Sequence, residues 1–360
     1  MYCRKIIANA LKHTQLYTRS TLIVTNMYQL NRWKNALIVY LPQISDIRRL
    51  YNPKFHERRK SNLSQTMFIS ISSSFLFTLF GSEDKEKDDE AELIMTIKRS
   101  ILAIQKGEYK KAEQMLHIAL RQAQTLQHYN GITYVYDVMA NLAMNVSDYK
   151  KAEKLFVSVL QRLLSKGVAQ DDLAVIHISL KIADMYGKMG ETEKAENGFL
   201  FCLQHLKNHM AKDPKNPNIL QLLGLASEWY GSFLYAQSKY VDALVYLSEA
   251  YNIAVKILDK EDEQIVVLLN NLGIVNCMIK EYEQAIKYLT EAIEIGKKLP
   301  EMLDIGSIYV NLGNVYLEKG LYEEAKKSCK EGKRLAKEQN HKNSVDVAEE
   351  CLERIKNMMV

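Results

Sequence analysis

A chain of 360 residues with 47% apolar content can bury a sizeable core, and its five Pro and 15 Gly suit long helices joined by few tight turns. The net charge of +5 hides a split: residues 1–60 hold 12 Lys/Arg against Asp46 and Glu57, while the other 300 residues hold 36 basic and 41 acidic side chains. Beyond that basic front no Lys/Arg cluster remains to track a phosphate backbone, so a nucleic-acid-binding role is excluded. The five Cys are scattered and form no C-x-x-C, which removes zinc-ribbon and thioredoxin-like readings.

From the N-terminus, no acidic residue precedes Asp46, and Lys5, Lys12 and Arg19 recur every seven residues with Ile6, Ala10 and Tyr17 filling the opposite side. A basic, acid-free amphipathic helix of this kind predicts a mitochondrial presequence over 1–60, with Arg49-Leu50-Tyr51 and Arg59-Lys60-Ser61 as candidate cleavage sites; a basic arm without fixed structure is the alternative. Residues 61–81 form a hydrophobic segment. Its run from Leu63 to Phe80 is uncharged, and ten of the 18 residues are Leu, Ile, Phe or Met. That length reaches the minimum for a membrane-spanning helix, although the interspersed Ser and Thr oppose insertion. An uncleaved part of the presequence or a helix lying on the bilayer are the alternatives. Arg58, Arg59 and Lys60 precede the run and an acidic linker, 82–90, follows it, which predicts that the rest of the chain projects into the intermembrane space.

Residues 91–342 repeat. Ser100, Ala140, Ala183, Gly231, Gly273 and Gly313 are each followed twelve residues later by Ala112, Ala152, Ala195, Ala243, Ala285 and Ala325. Small side chains at a fixed offset mark where two antiparallel helices cross closely. Larger residues should fill the gaps: Tyr186 and Tyr316 on first helices, and Phe156, Phe199, Leu247 and Leu289 on second ones. The stretch from Asn270 to Ala292 carries the tetratricopeptide signature in its Leu272, Gly273, Tyr282, Ala285, Leu289 and Ala292. The expected fold is all-α, a right-handed superhelix of about six tetratricopeptide hairpins plus a capping helix over 343–360, with Ser344 as its N-cap. Asp213-Pro214-Lys215-Asn216-Pro217 breaks helix and predicts a hinge between two groups of three repeats. Cys202, Cys277, Cys329 and Cys351 fall on apolar faces and read as small core residues.

No P-loop, GxGxxG, G-x-S-x-G or HExxH pattern occurs, and His205 and His209 lack a third ligand for a metal. The chain is therefore read as a non-enzyme, with no catalytic residue, cofactor, metal or small-molecule substrate. Function falls instead to the inner row of first helices. There Asn141, Lys181, Asn271, Asn311 and Asn314 form a candidate groove, since an Asn amide can both donate to and accept from an extended peptide. The alternative is that Asn merely tolerates an exposed helix face. Only Lys98 and Lys181 place positive charge in that row, too few for the clamp that some repeat domains use on acidic chaperone tails.

The stretches Ala91 to Ala123, Ile132 to Met144 and Ala174 to Leu206 resemble the tetratricopeptide repeat protein 19 family of the mitochondrial inner membrane, and the likeness runs from about Ala91 to the C-terminus. The resemblance implies a membrane-anchored partner of respiratory complex III that supports its assembly and upkeep, including clearance of Rieske iron-sulfur protein fragments. It implies no catalytic residues. The Asn/Lys/Ile-rich N-terminal segment departs from the family. The reading from a different class is a cargo or import receptor anchored in the outer membrane and facing the cytosol.

Overall fold

A computed structural model describes residues 87–299, 302, 305–339 and 342–358. The predicted presequence, the hydrophobic segment and most of the acidic linker lie outside the described residues. Among the described residues the chain forms thirteen α-helices and no strand. These are α1 (Lys87–Gln105), α2 (Tyr109–Thr125), α3 (Tyr129–Asn145), α4 (Tyr149–Ser165), α5 (Leu173–Lys188), α6 (Thr192–Lys212), α7 (Pro217–Ala236), α8 (Tyr240–Ile257), α9 (Glu263–Met278), α10 (Tyr282–Gly296), α11 (Ile305–Glu318), α12 (Tyr322–Glu338) and α13 (Lys342–Met358). No described helix is long and apolar enough to cross a membrane.

One turn recurs six times. Seven residues after each small position the backbone turns left-handed: Gly107, Ser147, Gly190, Ser238, Lys280 and Gly320 all have φ between 58° and 82°. The next residue donates its N–H to the carbonyl five positions back, as in Asp148 to Ala143 and Glu281 to Asn276, at 2.8–2.9 Å throughout. That bond satisfies a carbonyl the helix end would otherwise leave bare and reverses the chain at a fixed angle. Four residues further on, the Ala of each second helix donates to the carbonyl of the residue after the turn, from Ala112 to Glu108 through Ala325 to Leu321. The twelve-residue spacing is thus a turn of constant geometry.

Packing explains which residues stand at the crossings. Ala112, Ala140, Ala152, Ala183, Ala195, Ala243, Ala285 and Ala325 are buried, as are Ser100, Gly231, Gly273 and Gly313. A Cβ on Gly273 would lie 2.5 Å from Leu289 Cγ, and one on Gly231 would lie 2.8 Å from Leu247 Cγ. Sixteen residues separate each of these pairs, and the same interval sets Gly313 against Cys329. In the first two hairpins the interval separates Ser100 from Leu116 and Ala140 from Phe156, all of them buried.

The chain divides into two compact units, one ending at Gly198 and the other beginning at Phe199. The expected hinge at 213–217 is corrected by this division, which falls inside α6. The physical reason is aromatic. Phe199 of α6 lies 5.5 Å from the Tyr230 ring and 5.4 Å from Phe233, both on α7, so the residues flanking the Pro loop belong to one packed cluster. Asn216 caps α7 by accepting from Asn218 N–H, with Pro217 at the first helical position.

At the C-terminus α13 lays Ala348, Cys351 and Ile355 against α11 and α12. Two expectations are corrected here. The helix begins at Lys342, so Ser344 lies in its first turn and not at the N-cap position, and its hydroxyl meets Ser307 Oγ at 3.0 Å. Cys329 and Cys351 are buried, yet they are joined in a disulfide across 22 residues. Cys202 and Cys277 carry free thiols.

Candidate functional site: the row of first helices

The first helices carry polar groups three and two residues before the small position, and between neighbouring repeats these groups meet. In the first unit Lys181 Nζ of α5 donates to both carboxylate oxygens of Asp137 on α3, at 2.8 and 2.9 Å. In the second, Asn311 Nδ2 of α11 donates to Asn270 Oδ1 of α9 at 2.8 Å. Asp137 and Asn270 hold one register position and Lys181 and Asn311 the other. Glu228 of α7 shares the register of Asp137 and accepts from Gln264 Nε2 of α9 at 2.6 Å. One row further in, Arg354 Nη1 of α13 donates to Asn314 Oδ1 at 3.1 Å. The inner row is therefore a ladder of cross-repeat bonds.

Burial sets the electrostatics. Lys181 is 1% exposed, so an ammonium ion is held out of water against a carboxylate. Burial of His177, reinforced by the Lys181 charge one turn away, keeps that imidazole well below its usual range. Burial of Tyr134, reinforced by the Asp137 charge, drives that phenol well above its ordinary range. Glu228 is pushed up to about 7 because burial disfavours its carboxylate more than the Gln264 bond favours it. Burial with Glu318 nearby raises the Cys277 thiol to about 11, so it carries no thiolate for nucleophilic chemistry at neutral pH.

The residues read from the sequence divide accordingly. Lys181 presents no free ammonium, because Asp137 holds it. Asn311 and Asn314 are engaged through Asn270 and Arg354, each with half of its amide spoken for. Asn271 is half-buried, and its amide makes no hydrogen bond among the described residues. Asn141 Oδ1 is buried without a hydrogen-bond partner. Of these residues, Asn271 presents an unspent amide. Sequence reasoning missed Asp137, Asn270 and Glu228; the available signal was a polar residue in a helix otherwise buried almost all round. No group of three His, Cys, Asp or Glu converges among the described residues.

Helical hairpins in this register, reversed by one recurring turn and crossing at paired small residues, define a tetratricopeptide repeat protein. Profiles described as tetratricopeptide repeat match residues 221–298 and 306–339. The chain belongs to the tetratricopeptide repeat protein 19 family. It is 41% identical over 297 residues to the Drosophila melanogaster protein "Tetratricopeptide repeat protein 19 homolog, mitochondrial", covering 82% of this chain and 80% of that one. To the Homo sapiens "Tetratricopeptide repeat protein 19, mitochondrial" it is 29% identical, covering 76% and 74%. Among solved structures, BtubC from P. vanneervenii shares the fold, with a TM-score of 0.52 at 18% identity, covering 72% of this chain and 94% of that one. A repeat scaffold for protein–protein interaction is what this fold and family support.

Proposed function

We propose that the chain is a non-enzymatic scaffold of the mitochondrial inner membrane that binds respiratory complex III and supports its assembly and maintenance, including removal of Rieske iron-sulfur protein fragments. The observation that carries the reading is family membership across the repeat array, joined to an unspent amide at Asn271 in the row where a peptide would lie. The half-buried Asn271 amide of the second unit offers a donor and an acceptor to an extended backbone. Asn311 ties α11 to α9, the helix that presents it. The basic front and the uncharged run from Leu63 to Phe80 support import and anchoring. The disulfide supports an oxidising surrounding, consistent with repeats facing the intermembrane space.

Protease treatment of intact mitochondria and of mitoplasts tests the location. Repeats protected in the first and digested in the second are expected, whereas digestion in intact organelles would assign an outer-membrane receptor. Crosslinking and pull-down from solubilised inner membrane should recover complex III subunits, the Rieske protein among them. Replacing Asn271 and Asn311 by Ala should reduce that recovery. Unchanged recovery moves the contact to the second helices.

A further inference from the structure

The second hairpin carries a cationic cleft that the inner row does not use. Tyr129 opens α3, and Tyr136 follows two turns later; Ser158, Gln161, Arg162 and Ser165 form a stripe on α4, and together they line a cleft of about 340 Å³. The Arg162 guanidinium carbon lies 3.9 Å from the Tyr129 ring centroid, and Lys166 Nζ lies 4.1 Å from it. Two cations therefore converge on one aromatic ring. Lys166 is lowered from its usual range by partial burial and by the neighbouring Arg162 charge.

The cleft is built before any ligand arrives. Arg162 Nε donates to Thr133 Oγ1 at 2.9 Å, and Nη2 donates to the Tyr129 carbonyl at 3.0 Å. The Tyr129 hydroxyl returns a bond to the Arg162 carbonyl at 2.6 Å, and Ser165 Oγ donates to the same carbonyl at 2.9 Å. The fork is thus locked in orientation, with Nη1 unspent. Elsewhere on second helices Arg334 pairs with Glu331 and Glu338, and Lys151 pairs with Glu113. Among the described residues neither Arg162 nor Lys166 has one, and Gln161 and the Tyr136 hydroxyl make no hydrogen bond.

We propose that this cleft docks an acidic side chain of a protein partner. Its carboxylate would accept from Arg162 Nη1 in the field of the nearby Lys166 charge, and Gln161 and Tyr136 would bond the flanking peptide backbone. A carboxylate supplies the acceptor that Arg162 Nη1 lacks and eases the repulsion between the cations. The amide and phenol suit a peptide, which presents alternating donors and acceptors. Two cations beside one ring fit a single acidic side chain better than a bilayer, where several Lys/Arg spread over a face would be needed.

The test uses the full chain, a fluorescein-labelled peptide of alternating Ala and Glu, and its Gln counterpart, read by anisotropy. The Glu peptide should bind and the Gln peptide should not. Lys166→Glu changes an exposed residue and should weaken binding by about tenfold or more with an unchanged thermal melt. Arg162→Lys, which keeps the charge and loses the fork, should weaken it by about as much. Asn271→Ala should leave peptide binding intact, which separates this site from the inner row. Equal binding of the two peptides, or wild-type affinity in Lys166→Glu, would overturn the proposal. So would uptake on cardiolipin-containing vesicles that depends on Arg162 and Lys166 in a chain that ignores the peptide.

Discussion

At the same register of the repeat, the first unit joins neighbouring first helices with a buried ion pair, Asp137–Lys181, and the second joins them with an amide pair, Asn270–Asn311. The geometry is shared; the electrostatics are not. An ion pair taken out of water is held by a partner it cannot lose, whereas an amide pair leaves only a neutral dipole behind when broken. The position thus fixes helix spacing by complementarity, and the chemistry chosen sets how severely a single change is felt.

The comparison breaks most visibly at Lys181. Lys181→Met strands the Asp137 carboxylate in a buried site and should cost about 3–5 kcal/mol of unfolding free energy in urea titration. The double variant Asp137→Leu/Lys181→Met should recover most of that loss, and a double variant as unstable as the single would show that the pair is held by more than its own charges. Glu228 sharpens the contrast, because it occupies Asp137's register without a cation. Its carboxyl is raised to about 7 from an ordinary 4.5, so the folded state binds a proton that the unfolded state releases between those values. Stability is therefore fullest below about pH 4.5 and declines as pH rises through 7, by about 3 kcal/mol. Thermal melts of the wild type from pH 5 to 8 should show this decline, and Glu228→Gln should flatten it.

The amide pair should yield less. Asn311→Ala leaves Asn270 Oδ1 half-buried without its donor and should cost about 1 kcal/mol. A cost matching that of Lys181→Met would erase the distinction between the two units. The smallest effect belongs to the turns, which both units share. Lys280 holds a left-handed φ of 67° with a side chain, and Lys280→Gly should stabilise by about 1 kcal/mol or less, seen as a small rise in the urea midpoint.

Much of the array was legible in the sequence because a close helix crossing restricts residue size. Nothing larger than Gly fits at Gly273 beneath Leu289, and that restriction recurs visibly at twelve and sixteen residues. The left-handed turn was not legible as a pattern, since Ser147, Ser238 and Lys280 occupy positions that Gly marks in the other three hairpins. There the two bonds that reverse the chain outweigh the local preference. The boundary inside α6 escaped notice for a related reason: two prolines advertise a break, while the Phe199, Tyr230 and Phe233 cluster that spans it is assembled only in space. The candidate site was half legible. Asn in a recurring inward position can be read from spacing, but whether its amide is free depends on a neighbour some forty residues away, as Asn270 is to Asn311. The Arg162–Tyr129 cluster likewise joins residues 33 apart that no local motif connects.

The cystine between α12 and α13 gives the last hairpin a memory. Under the proposed import route the chain travels with Cys329 and Cys351 as separate thiols, and they can join only once Cys351 packs beside Cys329 beneath Gly313. Closing that 22-residue ring should raise the cost of unravelling the C-terminus by about 3 kcal/mol through lost chain entropy. Alkylating thiols in molecules caught during transit would therefore separate those still travelling from those that have arrived and folded.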